Sequence, residues 1–212
     1  MSVAVISLHG MMSVAVVGRR YARCMARWKP DGRGRLEQAA LELFGERGFE
    51  KVTVAEIAAR AGLTERTFFR HYADKREVLF GGGPMLQELL VNAVTDAPDG
   101  TAPIDTVAGA LDAVAALLGA RRDFALKRHA VIAANAELRE RELIKLALIA
   151  ASLAEALRAR GVKEPAASLT AEAGIAVFRV AFERWVAPKN RQTLARLIRS
   201  SLDELKAVTA GA

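Results

Sequence analysis

The sequence predicts an all-α protein, with an N-terminal three-helix head that contains a helix-turn-helix and a larger helical body after it. The composition favours helices, because 52% of the residues are hydrophobic and only six are proline. No alternating apolar run bounded by turn residues is typical of a β-strand. Residues 52–80 carry three helix-capping signals around a glycine, in the string VTVAEIAARAGLTERTFFRHYADKREVLF. From these patterns we expect about nine helices.

The first predicted helix covers residues 33–47 and has a clear apolar face. Five apolar residues recur there at helical spacing: Leu36, Ala39, Ala40, Leu43 and Phe44. Gly48 follows and favours a helix end, because a residue without a Cβ readily adopts the left-handed conformation needed there. This helix should support the two helices that follow it.

The next two helices are predicted from their caps. Thr53 is a candidate N-cap, and Glu56, three residues later, completes a capping box. Gly62 suits the tight turn that ends this helix. Thr64 is a second candidate cap and opens a helix over residues 65–71. This layout is typical of a helix-turn-helix that places one helix in the DNA major groove. On spacing alone, an ordinary corner of an all-α protein remains an alternative.

A dense, ungapped set of positions between residues 35 and 80 carries a family resemblance: Ala40, Phe44, Gly48, Phe49, Thr53, Val54, Ile57, Ala58, Ala61, Gly62, Thr67, Phe69, Tyr72 and Lys75. In these positions the segment closely resembles the DNA-binding domain of the tetracycline-repressor (TetR) family of bacterial transcriptional regulators. The resemblance implies a DNA-binding domain at residues 33–80 and an effector-binding and dimerisation domain at residues 81–212. Beyond Phe80 the similarity is limited to length and helical pattern.

The segment that joins head and body contains an expected irregularity. Asp74 is a third candidate N-cap, with Glu77 at the N3 position, so a helix should run from Lys75 to about Thr95. The run Gly81-Gly82-Gly83-Pro84 disfavours an unbroken helix. We expect either a kink or a break, with the helix resuming near residue 85.

The body is predicted as a series of helices separated by glycine and proline. A loop at residues 96–103 precedes helices at residues 104–118, 122–134, 136–160, 168–187 and 192–208. The family resemblance implies that the last two helices, residues 168–187 and 192–208, form the interface of a homodimer. The alternative is that their apolar faces are buried only within the chain. A two-fold dimer would present two reading helices to a palindromic operator.

Nine residues of the head are candidate DNA contacts: Thr53, Thr64, Glu65, Arg66, Thr67, Phe69, Arg70, His71 and Lys75. Arg66 is suited to donate two hydrogen bonds to a guanine edge, with a phosphate contact as the alternative. Relatives often have a small residue at the position of Arg66 and a phosphate-binding tyrosine at that of Phe69, so both are departures. By resemblance, Arg70, His71 and Lys75 contact the DNA backbone. For both threonines, capping is the expected main role.

The body should hold a small-molecule effector in a cavity between residues 104 and 185. Candidate lining residues are Phe124, Arg128, His129, Asn135, Phe178, Arg179 and Phe182. Their apolar majority indicates a hydrophobic effector with few polar anchors. Ordinary core, helix surface and dimer interface are the alternative roles for each of these residues.

The N-terminal region is predicted to be an extension rather than part of the fold. Its first eighteen residues contain no Asp, Glu, Lys or Arg, and the string MSVAV occurs twice. We expect residues 1–32 to be poorly ordered and to form neither a membrane span nor a secretory signal. Most of the net charge of +7 lies in a basic arm suited to phosphate: Arg19, Arg20, Arg23, Arg27, Lys29, Arg33 and Arg35, against Asp31. The single cysteine, Cys24, fits a reducing cytoplasm.

Two other classes of function remain open at this stage. An enzyme with a helical body is disfavoured, because the sequence contains no phosphate-binding glycine loop, no HExxH motif and no Cys/His cluster. The sequence therefore predicts no cofactor and no metal site. A DNA-coating protein without an effector would bind with strong salt dependence but no preference among sequences.

Overall fold

A computed structural model describes residues 32–211, which form nine α-helices and one 3-10 turn. The helices are α1 (Gly32–Arg47), α2 (Val54–Arg60), α3 (Glu65–His71), α4 (Gly83–Thr95), α5 (Pro103–Ala120), α6 (Arg122–Ala133), α7 (Ala136–Ala159), α8 (Ala166–Val186) and α9 (Leu194–Ala210). The 3-10 turn covers Arg76–Leu79. The all-α prediction and the predicted order of helices are confirmed. Cys24 and the expected N-terminal extension, with most of its basic arm, lie outside the described residues.

The helices of the head begin and end where their local sequence requires. The hydroxyl of Thr53 accepts from the amide of Glu56, and the Glu56 carboxylate accepts from the amide of Thr53, so the capping box is formed. Gly62 adopts a φ of 66°, in the left-handed region that turns the chain from α2 towards α3. The Thr64 hydroxyl then caps α3 by accepting from the amide of Thr67 at 3.2 Å.

The connection between head and body is broken, as one of the two sequence alternatives predicted. Asp74 accepts from the amides of Arg76 and Glu77, at 2.8 and 3.1 Å, but the element that follows is only the 3-10 turn. α4 then starts at Gly83, with a proline in its first turn, where a missing N–H has no cost. The connection is therefore a short turn followed by a new helix.

α5 lies at the centre of the body and contacts α4, α8 and α9. By length and composition α5 is apolar enough to cross a membrane, which holds for no other helix of residues 32–211. Its apolar face is nevertheless used inside the protein, since Val107 and Ala110 are fully buried and Leu111 and Val114 nearly so. These contacts are those of a core helix.

The apolar stripe of α9 packs mainly against its own chain. Leu194, Leu197, Ile198 and Leu202 are all buried in the core of the body. Burial within the chain, the alternative recognised from the sequence, therefore accounts for most of this stripe. Large apolar side chains that stay exposed on the last two helices are Leu169, Val180 and Val208.

The hydrophobic core of the head does not end at the head. Besides residues of α1–α3 and the 3-10 turn, it includes Val131 and Ile132 of α6 and Leu138 of α7. The head is thus fixed to the body by shared apolar packing as well as by the chain itself.

Candidate nucleic-acid interface and effector cavity

α3 has one fully buried side chain, one partly buried side chain at Thr67, and an otherwise exposed surface. Phe68 is fully buried in the core of the head. The neighbouring side chains of Glu65, Arg66, Phe69 and Arg70 are all exposed. Such a helix presents a polar, partly basic surface to a partner while its buried side fixes its orientation. These residues are brought together as the sequence predicted, and His71 continues the same exposed surface.

Both candidate threonines are engaged in capping. The Thr53 hydroxyl also donates to the Glu56 carboxylate at 2.9 Å, and Arg47 binds that carboxylate at 2.6 Å. The backbone N–H of Thr53, followed by Arg47, lowers the pKa of Glu56 to about 2. The Thr64 hydroxyl lies 3.1 Å from that of Thr67. Both caps help to fix the angle between α2 and α3.

Lys75, a predicted DNA contact, is bonded within the head. Its ammonium donates to the backbone carbonyls of Phe49 at 2.8 Å and Val52 at 3.0 Å. It also lies 4.2 Å from the centre of the Phe49 ring. These contacts hold Lys75 against the loop between α1 and α2. The contact between Lys75 and the DNA backbone stays a prediction.

A buried polar pair that was not predicted holds the end of α3. The hydroxyl of Tyr72 donates to Glu37 of α1 at 3.1 Å, and both side chains are buried. Burial, followed by the proximity of Glu37, raises the pKa of the Tyr72 phenol. Arg33 lies 3.6 Å from the same carboxylate and donates to the carbonyl of Gly81. The pair thus connects α1, α3 and the start of α4.

A cavity of about 470 Å³ lies between the head and the body. Its size is within the usual range of small-molecule sites. Its apolar lining comes from the 3-10 turn and from α4–α8: Leu79, Phe80, Leu86, Leu117, Leu118, Phe124, Ile132, Leu146, Phe178 and Phe182. Met85 and Leu143, whose side chains are exposed, also line it.

Six of the seven predicted effector-site residues line this cavity: Phe124, Arg128, His129, Phe178, Arg179 and Phe182. Asn135 does not line it. Its side chain caps α7 by accepting from the amide of Leu138, and donates to Glu50 of the head at 2.9 Å. An asparagine just before a predicted helix is a capping signal, so the sequence supported this role better than the one that we assigned.

Three charged residues of the cavity wall form a compact cluster that was not predicted as a unit. Arg128 of α6 binds the Glu142 carboxylate of α7 through two hydrogen bonds, of 3.2 and 2.6 Å. Lys145, one turn further along α7, lies 3.6 Å from the same carboxylate. Their side chains are only 16%, 25% and 15% exposed, in that order.

The titration of this cluster reflects burial and crowding. Burial raises the pKa of Glu142, but Arg128 and Lys145 outweigh it and hold the pKa at about 2. Burial lowers the pKa of Lys145, and Arg128 lowers it further, to about 8 in spite of Glu142. The cluster therefore contains one carboxylate and two cations in a partly desolvated place.

The same wall is bonded to the head. Arg128 donates through Nε to the carbonyl of Leu79 at 2.6 Å, and its guanidinium lies 5.0 Å from the Phe80 ring. Arg141 of α7 binds Glu77 through hydrogen bonds of 2.7 and 3.1 Å. These contacts join residues that are 49 and 64 positions apart, so local patterns did not indicate them.

Helix-turn-helix regulatory proteins combine an exposed helix in the head with a helical body. This chain has both features, and a cavity lies beside the body. Residues 37–80 match the sequence profile of bacterial regulatory proteins of the tetR family. The match covers the head of this chain, including α2, α3 and the 3-10 turn. It is 40% identical over 91 residues to the HTH-type transcriptional regulator TcmR of Streptomyces glaucescens, a match that covers 43% of this chain and only 39% of TcmR.

Solved structures agree over most of the chain. FadR of Thermus thermophilus, a transcriptional repressor in complex with lauroyl-CoA, is 26% identical and matches with a TM-score of 0.53, over 82% of this chain and 93% of that protein. FadR of Bacillus subtilis, in complex with stearoyl-CoA, is 21% identical with a TM-score of 0.55, over 81% and 96%. The second likeness bears on the fold alone.

Proposed function

We propose that this protein is a sequence-specific DNA-binding transcriptional regulator, a repressor that leaves its operator when a small molecule binds the cavity. The observation that carries this proposal is α3, whose buried Phe68 fixes it while Glu65, Arg66 and Arg70 are presented outward. Its place of action would be the cytoplasm, and catalysis is no part of the proposal.

We assign the DNA contacts by position on α3. Arg66, in the first turn, would read a guanine edge in the major groove. Arg70 and His71, in the last turn, would bind phosphate, and the exposed ring of Phe69 would pack against the sugar backbone. Glu65 and Thr67 lie beside Arg66, and both capping threonines, Thr53 and Thr64, are exposed at helix starts near the same surface.

We infer a homodimer from the geometry of DNA reading and from the surface of the last two helices. A helix-turn-helix repressor places two reading helices about one turn of DNA or a multiple of it apart, on a palindromic site. Leu169 and Val180 of α8 and Val208 of α9 are large apolar residues more than half exposed in the single chain. A second copy packed on residues 168–187 and 192–208 would cover them.

The effector would act by favouring one of two arrangements of head and body. Its cavity is walled by both parts, so a ligand there has different contacts when their relative position changes. The ligand would weaken DNA binding only if it binds one arrangement of head and body more tightly than the other. The lauroyl-CoA complex of Thermus thermophilus FadR, together with the apolar lining here, supports an effector with a sizeable apolar part.

Selection of bound fragments from genomic DNA by the full chain tests the proposal. The expected result is enrichment of a palindromic sequence, which then binds in gel retardation at physiological salt. Equal retention of all fragments would favour the DNA-coating alternative. Retention of none, at low salt, would overturn DNA binding itself.

A further inference from the structure

The cavity wall has many apolar side chains, and it also holds the charged cluster of Arg128, Glu142 and Lys145. Phe124, Phe178 and Phe182 are among the apolar side chains, together with leucines of α4, α5 and α7. Lys145 and Arg128 lie at the part next to the 3-10 turn, since Arg128 bonds Leu79. A ligand that fills such a cavity needs an apolar body and a polar end.

The polar end should be anionic, because the cluster has more positive than negative charge. Arg128 Nη2 lies 2.6 Å from Glu142 Oε2, and the Lys145 ammonium lies 3.6 Å from that same oxygen. The guanidinium therefore takes the short contact and the ammonium the long one. Within residues 32–211, Glu142 is the one ion-pair partner of Lys145. A partly buried ammonium with such weak compensation favours an added anion.

Lys145 is also placed to receive that anion. Its side chain lines the cavity and runs beside Gly83 at the start of α4, where a Cβ would lie 3.7 Å from Cε.

We propose that the effector is an apolar carboxylic acid whose carboxylate binds the Lys145 ammonium while its hydrocarbon part fills the space lined by Phe124, Phe178 and Phe182. This inference rests on the proposed effector function and assigns the chemical class of the ligand. The bound carboxylate would compete with Glu142 for the two cations. Arg128 would then adjust its position, and its bond to Leu79 carries that change to the connection between body and head.

A single carboxylate suits this place better than a highly charged group does. The cluster of Arg128, Glu142 and Lys145 has one cation in excess, which a monoanion neutralises. A coenzyme A thioester, in contrast, has a neutral carbonyl next to its acyl chain. A carboxylate would therefore need the Lys145 ammonium as its charge partner, whereas the thioester carbonyl would not.

Calorimetric titration of the full chain, without DNA, separates these possibilities. The probes are octanoate, 1-octanol and octanoyl-CoA, and the variants are Lys145→Met, Lys145→Arg and the control Lys127→Met, an exposed lysine of α6. The unaltered protein should bind octanoate at least about 10-fold more tightly than 1-octanol. Lys145→Met should abolish that preference, while Lys145→Arg and Lys127→Met should retain it.

Three results would overturn the proposal: no binding of octanoate, equal binding of octanoate and 1-octanol by the unaltered protein, or a preference that survives in Lys145→Met. Tighter binding of octanoyl-CoA that does not depend on Lys145 would also overturn it. The comparison of acid with alcohol needs no variant, so it holds even if Lys145→Met fails to fold. Because DNA is absent, failure here leaves operator binding intact, and failure of fragment selection leaves the ligand assignment intact.

Discussion

The Nε atom of Arg128 donates to the backbone carbonyl oxygen of Leu79 at 2.6 Å, which bonds the wall of the cavity to the turn that leads into the head. The other two guanidinium nitrogens bind Glu142. One side chain thus contacts the cavity, the body and the connection at the same time. This arrangement suggests that Arg128 transmits ligand binding.

The substitution Arg128→Lys should uncouple the effector from DNA. A lysine keeps the positive charge beside Glu142 but lacks the planar fork needed to bind Leu79 as well. We expect ligand-free operator affinity to stay the same, while the effector-induced loss of affinity, typically about 5–150-fold in such systems, falls towards none. Operator retardation with and without effector measures this. Arg139→Lys is the control, since Arg139 lines the cavity but bonds Ala133 instead; an equal loss of coupling there would contradict the role of Arg128.

Arg66→Ala should change the sequence preference of DNA binding, whereas Arg70→Ala should change its overall affinity. Loss of a base contact by Arg66 should reduce discrimination at one operator position by about 1–3 kcal/mol. Loss of a phosphate contact by Arg70 should weaken binding to every sequence and reduce the slope of affinity against salt by about 1. Competition binding to single-base operator variants at several salt concentrations measures both effects. A uniform loss for both substitutions would show that neither residue reads bases.

Lys75→Met should destabilise the head without changing operator preference. The ammonium would no longer satisfy the carbonyls of Phe49 and Val52, and hydrogen bonds from charged groups are worth about 1.5–3 kcal/mol each. Urea unfolding gives the loss in free energy of unfolding. The neighbouring exposed Lys51, changed to Met, provides the control and should have little effect. A fully stable Lys75→Met protein with weakened DNA binding would instead show that the main role of Lys75 is the predicted contact with the DNA backbone.

Gly174→Ala should destabilise the body, because a Cβ on Gly174 of α8 would overlap with Cγ1 of Val107 on α5. Overpacking of this kind typically costs about 1–3 kcal/mol. Val107→Ala in the same chain should relieve the overlap, which a double-mutant cycle of unfolding free energies would detect. Gly109→Ala is the matched control: a Cβ there meets no atom within 4 Å, so added helix propensity should stabilise the protein. Additive effects of the first two substitutions would exclude this contact.

Lys145 should make the free energy of unfolding depend on alkaline pH. Its pKa in the folded protein is about 8, below the ordinary value of 10.5, so the unfolded chain binds more protons between these values. Stability from this group therefore rises as the pH rises from about 8 to 10.5. Burial lowers this pKa most, Arg128 of α6 and Arg141 of α7 lower it further, and Glu142 of α7 opposes them. Lys145→Met should lack this component, so the difference in unfolding free energy between variant and parent should change over that range; a constant difference would contradict the depressed pKa.

Structural features that depend on contacts between residues close in the sequence were predictable. The capping box of Thr53 and Glu56, the turn at Gly62 and the break before Gly83 are examples, because hydrogen bonds and backbone sterics over three or four residues determine each of them. The candidate reading helix could be located for the same reason.

Features that depend on tertiary contacts were not predictable. Lys75 bonds carbonyls 26 and 23 residues away, and no local pattern indicates that its charge is used internally. The spacing of Glu142 and Lys145 hints at a pair on one helix face, but not that Arg128 joins them. The stripe of α9 was visible, yet periodicity alone does not distinguish burial within a chain from burial against a second copy.

The shared apolar core of the head has a consequence for domain exchange. Val131, Ile132 and Leu138, all from the body, complete the packing around α1–α3. A chimaera whose donor segment ends at Phe80 would contain the reading helix without these three side chains. The apolar residues of the head that they cover would then be exposed to solvent. A functional chimaera with another effector-binding domain would therefore have to include the corner between α6 and α7, or an equivalent apolar surface in the new domain.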